Sequence, residues 1–129
     1  SCANSIGQKA SIEALIGDQT CDEDMKSLFL KRRDLIVELL NDLPGVKCAN
    51  PKGAFYVFPD FSSYLNQKVN GKLLKDTFDI SEYILDSVKV VTVPGDGFGA
   101  RGHIRFSYAT NRKIIQEGMT RVKKALEMI

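Results

Sequence analysis

The segment from residue 89 to residue 109 places the strongest limit on how this chain folds. An apolar, β-branched run at 89–93 stops at Pro94, glycines recur through the next eight positions, and 103–108 alternates strictly. β-Branched residues and strict alternation favour strands, whereas proline and glycine favour the connection between them. The segment therefore predicts two strands joined by a glycine-rich loop.

The alternation from 103 to 108 predicts a strand with two different faces. Successive side chains of a strand point to opposite sides, so the apolar even-numbered positions share one face and His103, Arg105 and Ser107 share the other. If helices cover the apolar face, Arg105 projects from the opposite face in mid-strand. A guanidinium is always charged and carries five N–H donors in one plane, which suits a carboxylate or a phosphate. An ordinary solvated surface charge is the alternative interpretation of Arg105.

Length, charge and cysteine usage narrow the class of protein. The 129 residues, 43% of them hydrophobic, are enough for one packed domain. A net charge of +2, with both signs interspersed, argues against nucleic-acid and membrane partners. Cys2, Cys21 and Cys48 are odd in number and lack C-x-x-C spacing. This pattern favours three small buried residues in a reducing, cytoplasmic compartment over disulfides or a zinc site. The chain begins at Ser1 without a methionine, which suggests a piece of a longer protein.

Periodicity and capping residues predict a mixed chain. A short apolar helix is expected to end at Gly17, and a capping box from Thr20 to Glu23 opens a long helix that ends near Pro44. Further expected elements are strands at 46–49 and 54–58, a mostly loop stretch over 62–75, a short helix capped at Asp79, and a last helix capped at Thr110. The order predicts an α/β (α+β) two-layer sandwich, with a small, mostly antiparallel sheet and helices on one face.

A nucleotide motif and a catalytic apparatus are both rejected on context. Residues 97–102 match G-x-G-x-x-G, but a strand follows where that motif needs a helix. The glycines instead suit a hairpin-like connector or a close backbone approach to a ligand or neighbouring domain. His103 has neither a nucleophile nor metal-ligand partners, and no carboxylates are paired for acid–base work. The residues favour a domain that binds a substrate for chemistry housed elsewhere.

Three motifs resemble one known family. Residues 51–58, 91–99 and 102–109 are similar to the C-terminal part of class I pyridoxal-phosphate aminotransferases, fold type I, in the aspartate aminotransferase branch. Residues 5–10 resemble the passage from the large to the small domain, and the likeness runs over the whole chain. The resemblance implies that residues 1–129 are the C-terminal small domain of a larger aminotransferase, with residues 1–20 leading in from the large domain.

The resemblance also implies an activity and the roles of individual residues. The parent enzyme would transfer an amino group between an amino acid and a 2-oxo acid, of the aspartate/2-oxoglutarate type. It would use pyridoxal 5′-phosphate held as a Schiff base by a lysine outside this sequence. The piece alone would therefore be inactive, with no catalytic, cofactor-binding or metal-binding residue. Arg105 matches the arginine that binds the substrate α-carboxylate, and Gly95, Gly97, Gly99 and Tyr56 are candidate residues that line the site.

Partners follow from the same resemblance. The parent would be a homodimer, and the large domain of the same chain would contact this segment. Residues outside this sequence would largely set the choice of amino acid, and other reactions of fold type I enzymes stay open. The alternative is a standalone carboxylate-binding or protein-interaction module on the same scaffold, which the sequence preceding Ser1 would reveal.

Overall fold

Four helices and five short strands make up the part of the chain that the computed structural model describes, residues 2–129. The helices are α1 (Ser5–Ile16), α2 (Thr20–Asn41), α3 (Thr77–Val88) and α4 (Arg112–Leu126). The strands are β1 (Tyr56–Val57), β2 (Lys68–Val69), β3 (Lys72–Leu73), β4 (Val93–Pro94) and β5 (Ile104–Ser107). Within residues 2–129, no helix is long and apolar enough to cross a bilayer.

Strand β5 is the centre of the main sheet. It pairs antiparallel with β1 on one side and with β4 on the other. The cross-strand partners are Tyr56 with Ser107, Val57 with Phe106, Val93 with Arg105, and Pro94 with Ile104. Pro94 is tolerated because β4 lies at the edge of the sheet, where one row of N–H groups needs no partner.

The two faces of β5 have different environments, as the alternation predicts. Ile104, Phe106 and Tyr108 are buried in the core that helices α2, α3 and α4 complete. Arg105 and Ser107 lie on the other face and keep contact with solvent. The prediction of a small antiparallel sheet with helices on one face is confirmed.

Residues 62–75, predicted to be mostly loop, contain more secondary structure than expected. It holds a 3₁₀ turn (Ser62–Tyr64) and the hairpin of β2 and β3. Asn70 and Gly71 connect the two strands with φ of 50° and 81°. Two consecutive positive φ values are the signature of a type I′ hairpin turn, for which Asn-Gly is the preferred pair.

The other predicted strands form over shorter spans than expected. The expected strand at 46–49 is reduced to a single bridge between Lys47 and Asp60, and that at 54–58 to β1. The expected strand at 89–93 pairs only from Val93 onward. Lys89 takes the left-handed conformation (φ 58°) and caps the C-terminus of α3, so the residues after it serve as a connection.

The predicted capping box at the start of α2 is wrong. Thr20 is the first helical residue rather than the cap, and Gln19 before it makes no side-chain capping bond. The carboxylate of Asp18 accepts hydrogen bonds from both the N–H and the hydroxyl of Thr20. The Thr20 hydroxyl is therefore engaged in a local turn and is not free to cap the helix.

The caps of α3 and α4 also differ from the predicted residues. Asp76, three residues before the predicted Asp79, accepts a hydrogen bond from the Asp79 N–H at 3.0 Å. Asn111, one residue after the predicted Thr110, accepts from the Ile114 N–H at 2.9 Å. Asn is a stronger N-cap than Thr, which accounts for the start of α4. At α3 both candidate caps are aspartates, and the helix begins at the first of them.

The prediction of three buried cysteines holds only for Cys48. Cys48 is buried, and burial raises the pKa of its thiol to about 11. Cys2 and Cys21 are exposed, and all three thiols are free. Cys2 precedes α1 and Cys21 lies in the first turn of α2, both outside the core of the described residues.

Helix α1 contributes nothing to this core. It has the expected span and ends at Gly17, yet none of its residues is buried by residues 2–129. Ile6, Leu15 and Ile16 are 82%, 81% and 78% exposed. The first half of α2 also stays outside the core. The buried residues of this helix, Ile36 and Leu40, both lie in its second half.

The buried face of β5 yields a stability prediction. Ile104→Ala should lower the free energy of unfolding by about 2–5 kcal/mol, because it removes three carbons from a fully buried position in the central strand. Urea denaturation of the 129-residue chain measures the change. The matched control is Ile12→Ala on exposed α1, expected within about 0.5 kcal/mol of the parent sequence. Equal losses for the two variants would contradict the assignment of the core.

Candidate functional site

Arg105 occupies the middle of the open face of the sheet. Val93 lies opposite it on β4, Ser107 lies two residues along β5, and Tyr56 lies opposite Ser107 on β1. Directly opposed residues share a face of an antiparallel pair, as do residues two apart on one strand. The register therefore gathers these four side chains on the side of the sheet away from the helices.

A small cavity opens in front of this face. Its volume is about 240 Å³, and it is lined by Phe55, Tyr56, Val91, Val93, Arg105 and Ser107. Among these residues Arg105 is the single charged group, and most of the others offer apolar surface. An apolar pocket with a few fixed polar groups is typical of a small-molecule site, and the cation makes this one suited to a small organic anion.

The guanidinium of Arg105 has no internal anion to bind. Within residues 2–129, its nitrogens make no ion pair with a carboxylate within 4.0 Å; the five ion pairs of this region use other cations. The side chain is only partly exposed. A partly desolvated arginine with unused N–H donors offers more to an incoming carboxylate than a fully solvated one does.

Two aromatic rings approach the same guanidinium. Its central carbon lies 5.3 Å from the centroid of the Tyr56 ring and 5.3 Å from that of Phe98. Both distances are within the range of cation–π attraction. The positive charge is therefore stabilised by ring faces, which do not consume N–H donors.

Phe98 reaches Arg105 from a tight turn that follows β4. Residues Gly95–Phe98 form a 3₁₀ turn, which ends at Gly99 with φ 74°. The Gly95 N–H donates to the His103 carbonyl at 2.7 Å, and a Cβ at Gly95 would lie 2.3 Å from that oxygen. Only glycine permits this close contact between the two sides of the hairpin.

The three candidate loop glycines are not among the residues that line the cavity, whereas Tyr56 is. Gly95 and Gly99 shape the turn, and Gly97 lies within it. A role for Gly95, Gly97 and Gly99 in the site of an intact enzyme stays a prediction. Between them, Phe98 is the residue that extends to Arg105.

A hydrogen-bonded pair fastens this turn to the start of α3. The Asp96 carboxylate accepts from the N–H and the hydroxyl of Thr77 at 2.8 and 2.5 Å, and the Thr77 hydroxyl accepts from the Asp96 N–H at 3.0 Å. Thr77 is fully buried. The hydrogen bonds from the Thr77 side chain and backbone lower the pKa of Asp96 below its usual 3.8. The pair thus holds the turn most firmly while Asp96 is ionised.

His103 has a structural role on the same face. Its ring lies against Phe58, with ring centroids 5.3 Å apart, and its Nδ1 is 3.1 Å from the Arg101 carbonyl oxygen. Arg101 itself is exposed on the loop. Within the described residues, no cluster of three or more His, Cys, Asp and Glu side chains could hold a metal ion.

A larger cavity, of about 360 Å³, lies on the helix side of the sheet beside α4. Its charged residues have partners of their own: Arg121 pairs with Glu117, and the Lys89 ammonium donates to the Asp86 carbonyl at 2.9 Å. The cavity in front of Arg105 is smaller, but within residues 2–129 its arginine makes neither an ion pair nor a side-chain hydrogen bond, so its N–H donors are unused. It is therefore the better candidate for binding an anionic ligand.

Sequence reasoning missed the contributions of Phe98, Asp96 and Thr77. Phe98 is visible in the sequence as an aromatic residue between two glycines, within the glycine-rich loop. The contact between Asp96 and Thr77 joins positions nineteen residues apart. No local pattern reports such a pair, because it depends on how α3 packs against the hairpin.

Comparisons with known proteins identify the family of the chain. Residues 1–122 match the family described as aminotransferase class I and II. A probable aspartate/prephenate aminotransferase of Aquifex aeolicus is 42% identical over 126 residues, which are 96% of this chain and 30% of that protein. The crystal structure of the aspartate aminotransferase from Rhizobium meliloti matches with a TM-score of 0.94 at 37% identity, covering 99% of this chain and 32% of that one. An alanine aminotransferase structure from Pyrococcus furiosus matches with a TM-score of 0.83 at 30% identity, covering 98% and 30%.

The chain belongs to the class I and II aminotransferase family. This confirms the resemblance that the three sequence motifs indicate. The chain spans about three tenths of the length of the curated relatives it matches.

The contact between Asp96 and Thr77 gives a prediction about pH. Asp96→Asn should lower the free energy of unfolding by about 1 kcal/mol at pH 7, because an amide oxygen accepts these hydrogen bonds more weakly than a carboxylate does. The pKa of Asp96 is lower in the folded protein than its value of 3.8 in the unfolded chain. The ionised carboxylate therefore stabilises the protein fully at pH values above 3.8, and this stabilisation is lost as the pH falls through the folded pKa.

Urea denaturation of both sequences between pH 7 and pH 2.5 measures this difference. The difference in the free energy of unfolding between the two sequences should be constant above about pH 5 and should shrink below pH 3.8. Ile12→Ala, which removes no titratable group, is the control, and its difference from the parent sequence should not change with pH. A gap for Asp96→Asn that does not change with pH would contradict the role assigned to the carboxylate.

Proposed function

We propose that Arg105 binds the substrate α-carboxylate in a pyridoxal-phosphate-dependent aminotransferase of the aspartate/2-oxoglutarate type. The single observation that carries this proposal is the guanidinium of a half-buried arginine that has no carboxylate partner within residues 2–129 and faces a small cavity from the centre of a sheet. Family membership supports an amino acid and a 2-oxo acid as the two substrates. Each carries an α-carboxylate that Arg105 would bind.

The chemistry explains why an arginine suits this position. The planar fork of a guanidinium forms two parallel hydrogen bonds to the two oxygens of a carboxylate. Two bonds fix the direction of the carboxylate, and with it the orientation of the neighbouring Cα–H bond. Because Arg105 starts in mid-strand, with paired strands on both sides, its backbone is rigid before the substrate binds. Rigid orientation of this kind lowers the entropic cost of reaching a reactive geometry.

The residues around Arg105 fit the substrate rather than the cofactor. Pyridoxal phosphate supplies an electron sink for the electrons of the broken Cα–H bond. No lysine lines the cavity, so this region offers no amine for a Schiff base. We assign the lysine and the remaining cofactor contacts to the part of the parent chain that this sequence does not include.

Helix α1 supports the proposed division into domains. We propose that residues 1–129 are the C-terminal small domain and that residues 1–20 lead in from the large domain. In the intact protein, the large domain would cover the apolar side chains of α1, among them Ile6 and Leu15, which residues 2–129 leave exposed. A homodimeric parent and a cytoplasmic location are further predictions, from the family and from the free cysteines respectively.

The named relatives act on different amino acids, which is consistent with this role for Arg105. Their names include aspartate/prephenate and alanine aminotransferases. The α-carboxylate is common to all these substrates, whereas the side chains differ. Arg105 would therefore bind the shared group, and the choice of side chain would depend on other residues. The alternative of a standalone binding module is not favoured, because the matched relatives are about three times as long and are named as enzymes.

Replacing the guanidinium by an ammonium tests the proposal. In the full-length enzyme, Arg105→Lys should lower kcat/KM by roughly ten- to hundredfold, mainly by raising KM, because the charge remains while the two-pronged hydrogen bonding is lost. Steady-state kinetics with the amino-acid substrate varied give the comparison. Arg101→Lys, an exposed arginine of the neighbouring loop, is the matched control and should stay within about twofold. Unchanged constants for Arg105→Lys would refute the assignment.

A further inference from the structure

We propose that Tyr56 and Phe98 are positioning residues that fix the plane and direction of the Arg105 guanidinium before the substrate binds. The inference rests on the proposed function, since it describes how the carboxylate-binding group is prepared. The side chains of Tyr56 and Phe98 around Arg105 are named the ring clamp. The ring clamp would make neither a covalent nor a hydrogen-bonded contact with the substrate.

The two rings reach Arg105 from the two sides of β5. Tyr56 belongs to β1, and Phe98 belongs to the turn that directly follows β4. Because β1 and β4 pair with opposite edges of β5, the rings come from opposite sides of the strand that carries the arginine. Each centroid lies 5.3 Å from the guanidinium carbon. Contacts at equal distances on both sides restrict the tilt of a planar cation more than one contact could.

The ring clamp leaves the hydrogen-bonding edge of the guanidinium available. Ring faces attract the cation through the π-electron cloud and accept no conventional hydrogen bond. Within residues 2–129, no carboxylate competes for the Arg105 donors. A carboxylate partner inside the domain would also hold the side chain still, but it would occupy the edge that the substrate needs. Aromatic rings immobilise the arginine without that competition.

Pre-orientation matters because a long side chain loses rotamer freedom when it binds a ligand. That loss weakens binding unless the side chain is already ordered in the free protein. Arginine is among the side chains with most freedom to lose. The ring clamp would restrict this freedom during folding, so that less of the binding free energy is spent on ordering.

The structure also holds Phe98 itself in place. Its turn is fixed at one end by the close Gly95 contact and in the middle by the hydrogen bonds between Asp96 and Thr77. Phe98 is 61% exposed and Tyr56 is 38% exposed, so neither ring contributes much to the core. Within residues 2–129, the contact with Arg105 is the role that the structure gives to this mostly exposed ring.

Substitutions in the full-length enzyme test the ring clamp. Phe98→Leu and Tyr56→Leu remove a π face and keep an apolar side chain. Each should raise KM for the amino-acid substrate about three- to tenfold, with kcat changed less than about twofold. Phe98→Tyr and Tyr56→Phe keep the ring and should restore KM to within about twofold of the parent enzyme. Met128→Ala, at a residue that is 61% exposed like Phe98 and lies at the C-terminal end of the chain, is the matched control and should leave KM unchanged.

Two further readouts separate positioning from other roles. In an Arg105→Lys background, Phe98→Leu should change kcat/KM by less than about twofold, because an ammonium has no plane to orient. A full effect in that background would mean that Phe98 contacts the substrate itself, which would overturn the inference. Thermal unfolding midpoints should shift by less than about 2 °C. A larger fall in the unfolding midpoint of Phe98→Leu that Phe98→Tyr does not reverse would instead indicate a structural role for the ring. That result would also overturn the inference.

The outcomes separate this inference from the proposed function. If Arg105→Lys leaves kcat/KM unchanged, the proposed function fails and the inference fails with it. If Arg105→Lys lowers kcat/KM while both leucine variants match the parent enzyme, the proposed function stands and the ring clamp alone is wrong. If all three variants raise KM and the ring-retaining variants restore it, both are supported.

Discussion

The rest of the structure depends on the pairing of β5 with strands on both of its sides. This pairing gives one short strand two environments: Ile104 and Phe106 are buried under the helices, while Arg105 between them faces a cavity. Burial of the apolar neighbours fixes the backbone of the arginine, since a shift of one residue would move the apolar residues into solvent. The position of the proposed binding group is therefore a consequence of core packing.

The hairpin between β4 and β5 adds the second constraint. Gly95 allows the turn to approach the His103 carbonyl, and Thr77 holds Asp96 of the same turn from the start of α3. Through these contacts a helix on one side of the sheet controls the position of Phe98 on the other. The glycine-rich motif thus serves backbone geometry and aromatic placement, in agreement with its rejection as a nucleotide-binding loop.

Much of this arrangement could be predicted from the sequence, because it depends on periodicity. Alternation placed Arg105 on the open face, and three- and four-residue spacing identified the long helix α2. The errors arose where several residues compete for one role, as at the caps of α3 and α4, or where a turn signal was passed over, as at Asn70 and Gly71. Contacts between distant segments could not be predicted, because they depend on packing that no single segment encodes.

The central claim is that Arg105 presents its free hydrogen-bonding edge to a substrate carboxylate. The most direct measurement is a crystal structure of the full-length protein with a bound, unreactive dicarboxylate. The expected result is two N–H···O contacts of about 2.7–2.9 Å between the Arg105 guanidinium and one carboxylate group of the ligand. A structure in which Arg105 instead pairs with an acidic side chain of the protein, while the ligand binds elsewhere, would contradict the claim.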